Sequence, residues 1–217
     1  MASLIGLVAV VALAGCSFGG EATPTPGVAC PTEPPTSTSA QATNAGVTGA
    51  TFSMGGAVDG EITVELYPDA APLATASFVA LARCGFYDGV WFHRVLAGFV
   101  IQAGDPGTKG RTGDFEGLGR GGPGYQFEIE PPAEGLTYGP YSLSMANDTR
   151  ANGSQFFIAL ADLDAGLRQA GTYTIFGQVT EGTDVVDAIA ALPVNDPRVG
   201  VPLSLPIIES VTILDGE

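Results

Sequence analysis

From Gly60 to Pro68 the chain alternates Ile62, Val64 and Leu66 with Glu61, Thr63 and Glu65. A two-residue period is that of a strand with one buried face. In "APLATASFVALARCG", Leu73, Phe78, Val79, Leu81 and Ala82 recur near helical spacing, with Pro72 at the entry and Gly85 after the last turn, which predicts a helix. Short apolar pieces separated by glycine-containing turns follow: "VWFHRV", "FVIQAG", "YQFEIE", "YSLSMAN", "SQFFIAL" and "YTIFGQV". Each reads as a strand. "EGTDVVDAIAAL" predicts a second helix, capped by Thr183 and stopped by Pro193, and "IIESVTIL" a last strand. Many short strands and two separated helices favour a mainly β fold, and pattern alone leaves sandwich and barrel tied.

The first residues break this pattern. "LIGLVAVVALAGCS" is an unbroken apolar run of roughly a dozen residues, too short to span a bilayer as a helix and right for a signal-peptide core. Leu13-Ala14-Gly15-Cys16 resembles a bacterial lipobox, whose cysteine becomes the lipidated first residue of the mature chain. Residues 1–16 are therefore expected to be a signal peptide with Cys16 as the lipid attachment. The protein would then be exported and membrane-anchored on the extracytoplasmic face. No Lys or Arg precedes the apolar run, a departure from ordinary signals that a start codon placed too late would explain. Residues 17–46 turn to Pro, Thr, Ser, Ala and Gly, which bury too little apolar surface to offset the entropy of ordering them. They predict a disordered tether, with the folded domain at 47–217. With Cys16 lipidated, Cys30 and Cys84 remain; a bridge between them and two free thiols both fit an exporting compartment.

A chain of 217 residues suits one domain with a sizeable core. Acidic residues outnumber basic ones 23 to 8, so the long-range field repels phosphate backbones and argues against nucleic acid as a partner. Nothing in the pattern calls for an oligomer, and a monomer is expected.

Candidate chemistry concentrates in "WFHRVLAGFVIQAGDP", which holds the only tryptophan and the only histidine of the chain. No serine sits on a G-x-S-x-G elbow and no second histidine offers a metal ligand, which argues against a hydrolase and against a metal or other cofactor. On a strand His93 and Arg94 point to opposite faces; His93 reads as a packed, hydrogen-bonded structural residue. "GLGRGG", Gly117 to Gly122, matches a dinucleotide-loop pattern, but Pro123 and Gly124 stand where a helix should open. Asp105, Asp114 and Glu116 have no calcium-loop spacing and read as a solvated acidic loop.

Taken together, "FHRVLAGFVIQAGDP", "GLGRGGPGYQFEIE", "SLSMANDTRANGSQFFIAL", "YTIFGQVTEGTDVVDAI" and the closing "IIESVTIL", in this order and spacing, resemble the cyclophilin-type peptidyl-prolyl cis-trans isomerases. The resemblance covers nearly all of residues 47–217. It implies a closed eight-stranded antiparallel β-barrel capped by two α-helices, which breaks the tie. It also implies an enzyme that rotates X-Pro peptide bonds in proline-containing polypeptides, without a cofactor. By this resemblance Arg94 is the donor to the prolyl nitrogen, and Phe99, Val100, Phe157 and Leu167 line the proline slot. Gln102, supported by Gln155, would hold the substrate carbonyl. The backbone of Ala146 and Asn147 would pair with the extended peptide. Tyr173 stands where some members carry a histidine. Val100 replaces a common methionine, and the tryptophan of cyclosporin-binding members has no counterpart, which argues against tight cyclosporin binding. Strict alternation sets Phe99 and Gln102 on opposite faces, so a bend near Gly98 is required if both reach the groove. A non-catalytic peptide-binding module with the same barrel is the alternative; loss of Arg94 or Gln102 would mark it, and both are present.

Overall fold

The computed structural model describes residues 28–112, 115–147, 151–170 and 172–216. Eight strands run antiparallel: β1 (Val47–Gly56), β2 (Gly60–Leu66), β3 (Arg94–Leu96), β4 (Val100–Ala103), β5 (Ser142–Asn147), β6 (Asn152–Ala159), β7 (Ile175–Glu181) and β8 (Pro206–Asp215). They form one sheet in the order β3-β4-β6-β5-β7-β2-β1-β8. The sheet curls until its edges meet, but the expected closed barrel is not complete. The seam between β3 and β8 has no continuous ladder: the segment just before β3 meets β8 through a bridge between Trp91 and Ile207, with Phe92 N–H donating to the Pro206 carbonyl, Ile208 N–H to the Val90 carbonyl and Gly89 N–H to the Ile208 carbonyl.

Inward-facing residues build a core rich in aromatic rings. Phe78 of α2 (Pro72–Arg83) lies 5.8 Å from Phe52, 5.3 Å from Tyr87, 6.0 Å from Phe156 and 5.5 Å from Phe176, centroid to centroid. Pro72 sits in the first turn of α2 and Gly85, at φ +72°, follows its end, as the residue spacing predicts. No side chain of its own caps the helix. The Glu130 carboxylate, 57 and 56 residues away in sequence, accepts from Leu73 N–H at 2.8 Å and Ala74 N–H at 2.9 Å instead.

That cap explains why "YQFEIE" is not a strand. Phe127 and Asn152 exchange one pair of backbone hydrogen bonds, and Glu130 turns away to α2 before Pro131 and Pro132 withhold their donors. The eighth strand is β1, whose Ala50, Phe52 and Met54 face the core. The second expected helix is α4 (Thr183–Ala190). Its cap is Gly182 rather than Thr183, at φ +78°, its carbonyl accepting from Val185 and Val186 N–H. A Cβ there would strike the Glu61 carbonyl oxygen, so only glycine fits. Two further short helices exist, α1 (Ser37–Thr43) and α3 (Asp164–Ala170).

Helix α1 corrects the expected extent of the tether. Thr36 caps it in a reciprocal box with Ser39, Ala40 is fully buried, and the helix packs on α2. Cys30 is bonded to Cys84 at the end of α2, Asn44 donates to the Pro72 carbonyl at 3.0 Å, and Arg83 Nη1 donates to the Thr43 carbonyl at 3.4 Å. Residues 28–46 are thus part of the fold. The composition of this arm hides its order because its anchor is a covalent bond and one small buried residue, not a hydrophobic stripe. The expected signal peptide and Cys16 lie outside the described residues.

Candidate active site

The strands that wall the core on one side carry a second, smaller apolar cluster on the other. Ile101, Ala103, Phe156, Ile158, Leu143 and Met145 point inward, whereas Val100 and Phe157 point outward and pack with Tyr138, Leu167 and Ile175, with Phe99, Ala146 and Tyr173 against them. Alternation along β4, β5 and β6 produces both faces from the same four to eight residues of each strand.

Pairing registers then bring the polar groups to this outer cluster. Arg94 pairs with Gln102, and Gln102 with Phe157, so the three form one row across β3, β4 and β6 on the outer face. The Arg94 guanidinium lies 5.9 Å from the centroid of the Phe99 ring, a cation held over a π face. Partial burial lowers the Arg94 pKa, with Tyr173 acting the other way, and an arginine stays charged under such a shift. Phe99 escapes strict alternation because it precedes β4 in a turn: Gly98 has φ +71° and Phe99 N–H donates to the Leu96 carbonyl at 2.9 Å. The required bend is at Gly98.

Gln102 Nε2 donates to Gln155 Oε1 at 2.9 Å, and Gln155 Nε2 donates to the Gly121 carbonyl at 2.8 Å. The carbonyl end of this chain fixes the orientation of both amides. Gln102 keeps its second N–H for a ligand. Beyond these glutamines lies an open cavity of about 450 Å³, walled by Gln102, Gln155, Ala146, Asn147, Tyr125 and Arg120 among others. Ala146 sits at an irregularity in the β5–β6 register and borders both cavity and apolar cluster. Asn147 Nδ2 donates to the Thr172 carbonyl at 3.0 Å. The Tyr173 ring stands edge-on to Phe157 at 5.5 Å. All ten expected groove residues therefore gather on one face, Leu167 reaching it from α3.

Three residues differ from expectation or escape it. Asp105 is not in a solvated acidic loop: it is 1% exposed, and its carboxylate accepts from Gly107 N–H and Gly119 N–H, each at 2.7 Å. It anchors the "GLGRGG" loop, where a Cβ on Gly121 would strike Asp105 Oδ1; of the other two acids, Glu116 is exposed and Asp114 lies outside the described residues. His93 is packed as expected, 3% exposed, but neither ring nitrogen has a side-chain or backbone hydrogen-bond partner among the described residues. Burial pushes its pKa down to about 4, only partly opposed by Asp105 and a weak contact with the Trp91 backbone. Tyr138, 1% exposed at the floor of the outer cluster, carries no sequence signal because it stands alone among Gly, Pro and Thr.

A curled antiparallel sheet whose outer face joins an apolar slot, a fixed cation and a pair of amides describes a groove for an extended peptide. Comparison with known proteins is more specific. Residues 50–213 match the family model described as cyclophilin type peptidyl-prolyl cis-trans isomerase. The chain is 43% identical to peptidyl-prolyl cis-trans isomerase B of Streptomyces anulatus, over 71% of this chain and 91% of that protein. It is 40% identical to the probable peptidyl-prolyl cis-trans isomerase A of Mycobacterium leprae, over 71% and 87%. A solved cyclophilin-type isomerase of Cryptosporidium parvum superposes with a TM-score of 0.66 at 28% identity, covering 79% of this chain and 99% of that one. The same protein has been solved in the presence of the dipeptide Ala-Pro, with a TM-score of 0.65. The chain belongs to the cyclophilin-type peptidyl-prolyl cis-trans isomerases, and it is an enzyme of that kind.

Proposed function

We propose that this isomerase acts on proline-containing polypeptides outside the cytoplasm, held to a membrane through lipid on Cys16, with Arg94 as the group that lowers the rotation barrier. Amide resonance sets that barrier at about 18 to 20 kcal/mol, and rotation breaks no bond. In the twisted state the prolyl nitrogen loses conjugation and exposes a lone pair. A charged donor fixed beside it stabilises that state more than either planar isomer. The observation that carries this reading is the guanidinium beside Phe99, in one cross-strand row with Gln102 and Phe157. The apolar cluster takes the proline ring, and Gln102 offers its spare N–H to the neighbouring substrate carbonyl. Ala146 and Asn147 border the groove where the peptide backbone runs.

The extracytoplasmic setting is supported by the Cys30–Cys84 disulfide, since cytosolic thiols are kept reduced, and by the lipobox-like Leu13-Ala14-Gly15-Cys16. From Cys16 to Val28 is 12 residues, which at about 3.5 Å each sets the arm no farther than roughly 40 Å from the lipid. Fractionation of cells expressing the full chain tests the anchor: the wild type partitions with membranes, Cys16→Ala does not, and equal partitioning of the two would remove it. For the chemistry, a protease-coupled proline-peptide assay should show Arg94→Ala at least 100-fold slower in kcat/KM, as expected for loss of one fixed transition-state donor. Equal rates would remove the role given to Arg94.

A further inference from the structure

We infer that Tyr138 is the positioning residue of the proline slot, because one phenol and its own backbone hold both segments that bring Leu167 and Tyr173 against Phe157. The inference rests on the isomerase reading of this groove. Tyr138 Oη donates to the Tyr173 carbonyl at 2.7 Å and accepts from Tyr173 N–H at 3.0 Å. Both main-chain polar groups of Tyr173 thus end on a single hydroxyl. Burial holds the phenol above its ordinary pKa, against smaller opposing effects from Tyr173 and Arg168, which keeps the proton it donates. The Tyr138 ring also meets the Tyr173 ring edge-on at 6.4 Å, and Tyr173 in turn meets Phe157 at 5.5 Å.

The backbone of Tyr138 holds the other segment. Its carbonyl accepts from Leu163 N–H at 2.9 Å, and its N–H donates to Asp164 Oδ1 at 3.2 Å at the start of α3. Arg168 closes this side: its Nε donates to both Asp164 oxygens at 2.8 Å, Nη2 donates to the Leu136 carbonyl at 2.6 Å, and its Cζ lies 5.8 Å from the Tyr138 ring centroid. A helix of seven residues does not hold itself together in water, so Leu167, 6% exposed in the slot, depends on these contacts for its place.

Leu167 and Tyr173 meet the substrate through apolar surface, where no charge develops during rotation. They therefore bind the planar and twisted states about equally, and their misplacement weakens affinity while sparing the chemical step. A residue that merely stabilised the fold would move neither quantity. Isomer-exchange NMR during titration with an Ala-Pro-containing peptide gives both the dissociation constant and the exchange rate on the enzyme. For Tyr138→Phe, which keeps the ring and removes the hydroxyl, the dissociation constant should rise five- to tenfold while bound-state exchange stays within threefold. In a Tyr173→Ala background the same change should add less than twofold, since its effect passes through Tyr173. If Tyr138→Phe does not fold, Asp164→Ala, which frees the Tyr138 N–H and Arg168 at the exposed helix start, should weaken binding two- to fourfold. Wild-type affinity in the variant that folds, or a full five- to tenfold loss persisting in the Tyr173→Ala background, would overturn the assignment. A wild-type protein that binds the peptide without exchange would instead remove the isomerase reading, and the affinity comparison would still be readable.

Discussion

The two faces of β4, β5 and β6 use similar residues for different ends. Inward, Phe156 is fully buried and lies within 6.2 Å of Phe52, Phe78, Tyr87 and Phe92, centroid to centroid. Outward, its neighbour Phe157 is 5% exposed, but among the described residues its one ring partner is Tyr173, and its row across the strands holds the polar Ser144, Gln102 and Arg94. The inner face is closed on all sides and supplies stability. The outer face is a small cluster left open along one edge, and an open apolar edge beside a cation is what a ligand can complete. One-residue alternation lets a single stretch of sequence serve both, because each residue's face is decided by its parity on the strand.

The largest expected effect comes from exchanging the faces' burdens. Phe156→Ala should cost about 3 to 5 kcal/mol of unfolding free energy, since the enclosed core cannot collapse into the space. Phe157→Ala should cost about 1 to 2 kcal/mol because its side borders solvent, while losing most proline-peptide binding. Denaturant titration of both variants, with peptide binding measured alongside, checks the pair. Equal stability losses would mean that the outer cluster belongs to the core after all.

His93 and Arg94 repeat the contrast in two adjacent residues. His93 is buried with a pKa near 4 against an ordinary 6.5, so the unfolded chain takes up a proton as pH falls through 6.5 while the folded chain does not until about 4. The stabilisation is fully present above 6.5 and is lost on acidification, by about 2 kcal/mol between pH 7 and 5. Denaturant curves at both pH values for wild type and His93→Phe isolate this term: the variant should lack that share of the decline. An identical decline in both would show that His93 is solvated in the fold.

The smallest effect concerns the outside of the sheet again. Glu130→Gln keeps a carboxamide oxygen for one of the two N-terminal donors of α2 and removes the charge, so about 1 kcal/mol should be lost. Peptide exchange should be untouched, because Glu130 lies on none of the groove walls described. A change in exchange rate with unchanged thermal midpoint would contradict the separation of the two faces.

Much of this contrast is visible in the residue pattern. Alternation in "GEITVEL" and the short apolar piece "FVIQAG" bounded by glycines locate strands, and the spacing of Leu73, Phe78 and Leu81 locates α2. Motif order brings the ten groove residues together by resemblance, although no single one of them signals a site. Contacts made at long range stay hidden. Nothing local to "YQFEIE" announces that Glu130 caps a helix 56 residues earlier, and nothing in an acidic loop announces that Asp105 is buried under glycines. The arm at residues 28–46 reads as disordered because composition is blind to a disulfide. Tyr138 stays invisible because its work is done by one oxygen on the backbone of Tyr173.

We propose that the outer face binds with its apolar slot and catalyses with Arg94. Isomer-exchange NMR on a proline peptide, with Arg94→Ala and Arg94→Lys compared with wild type at saturating protein, separates the two functions. Bound-state exchange should fall at least 100-fold in Arg94→Ala and recover only in small part in Arg94→Lys, whose point charge lacks the planar fork, while the dissociation constant changes less than fivefold in both. Exchange at the wild-type rate in bound Arg94→Ala would contradict the account.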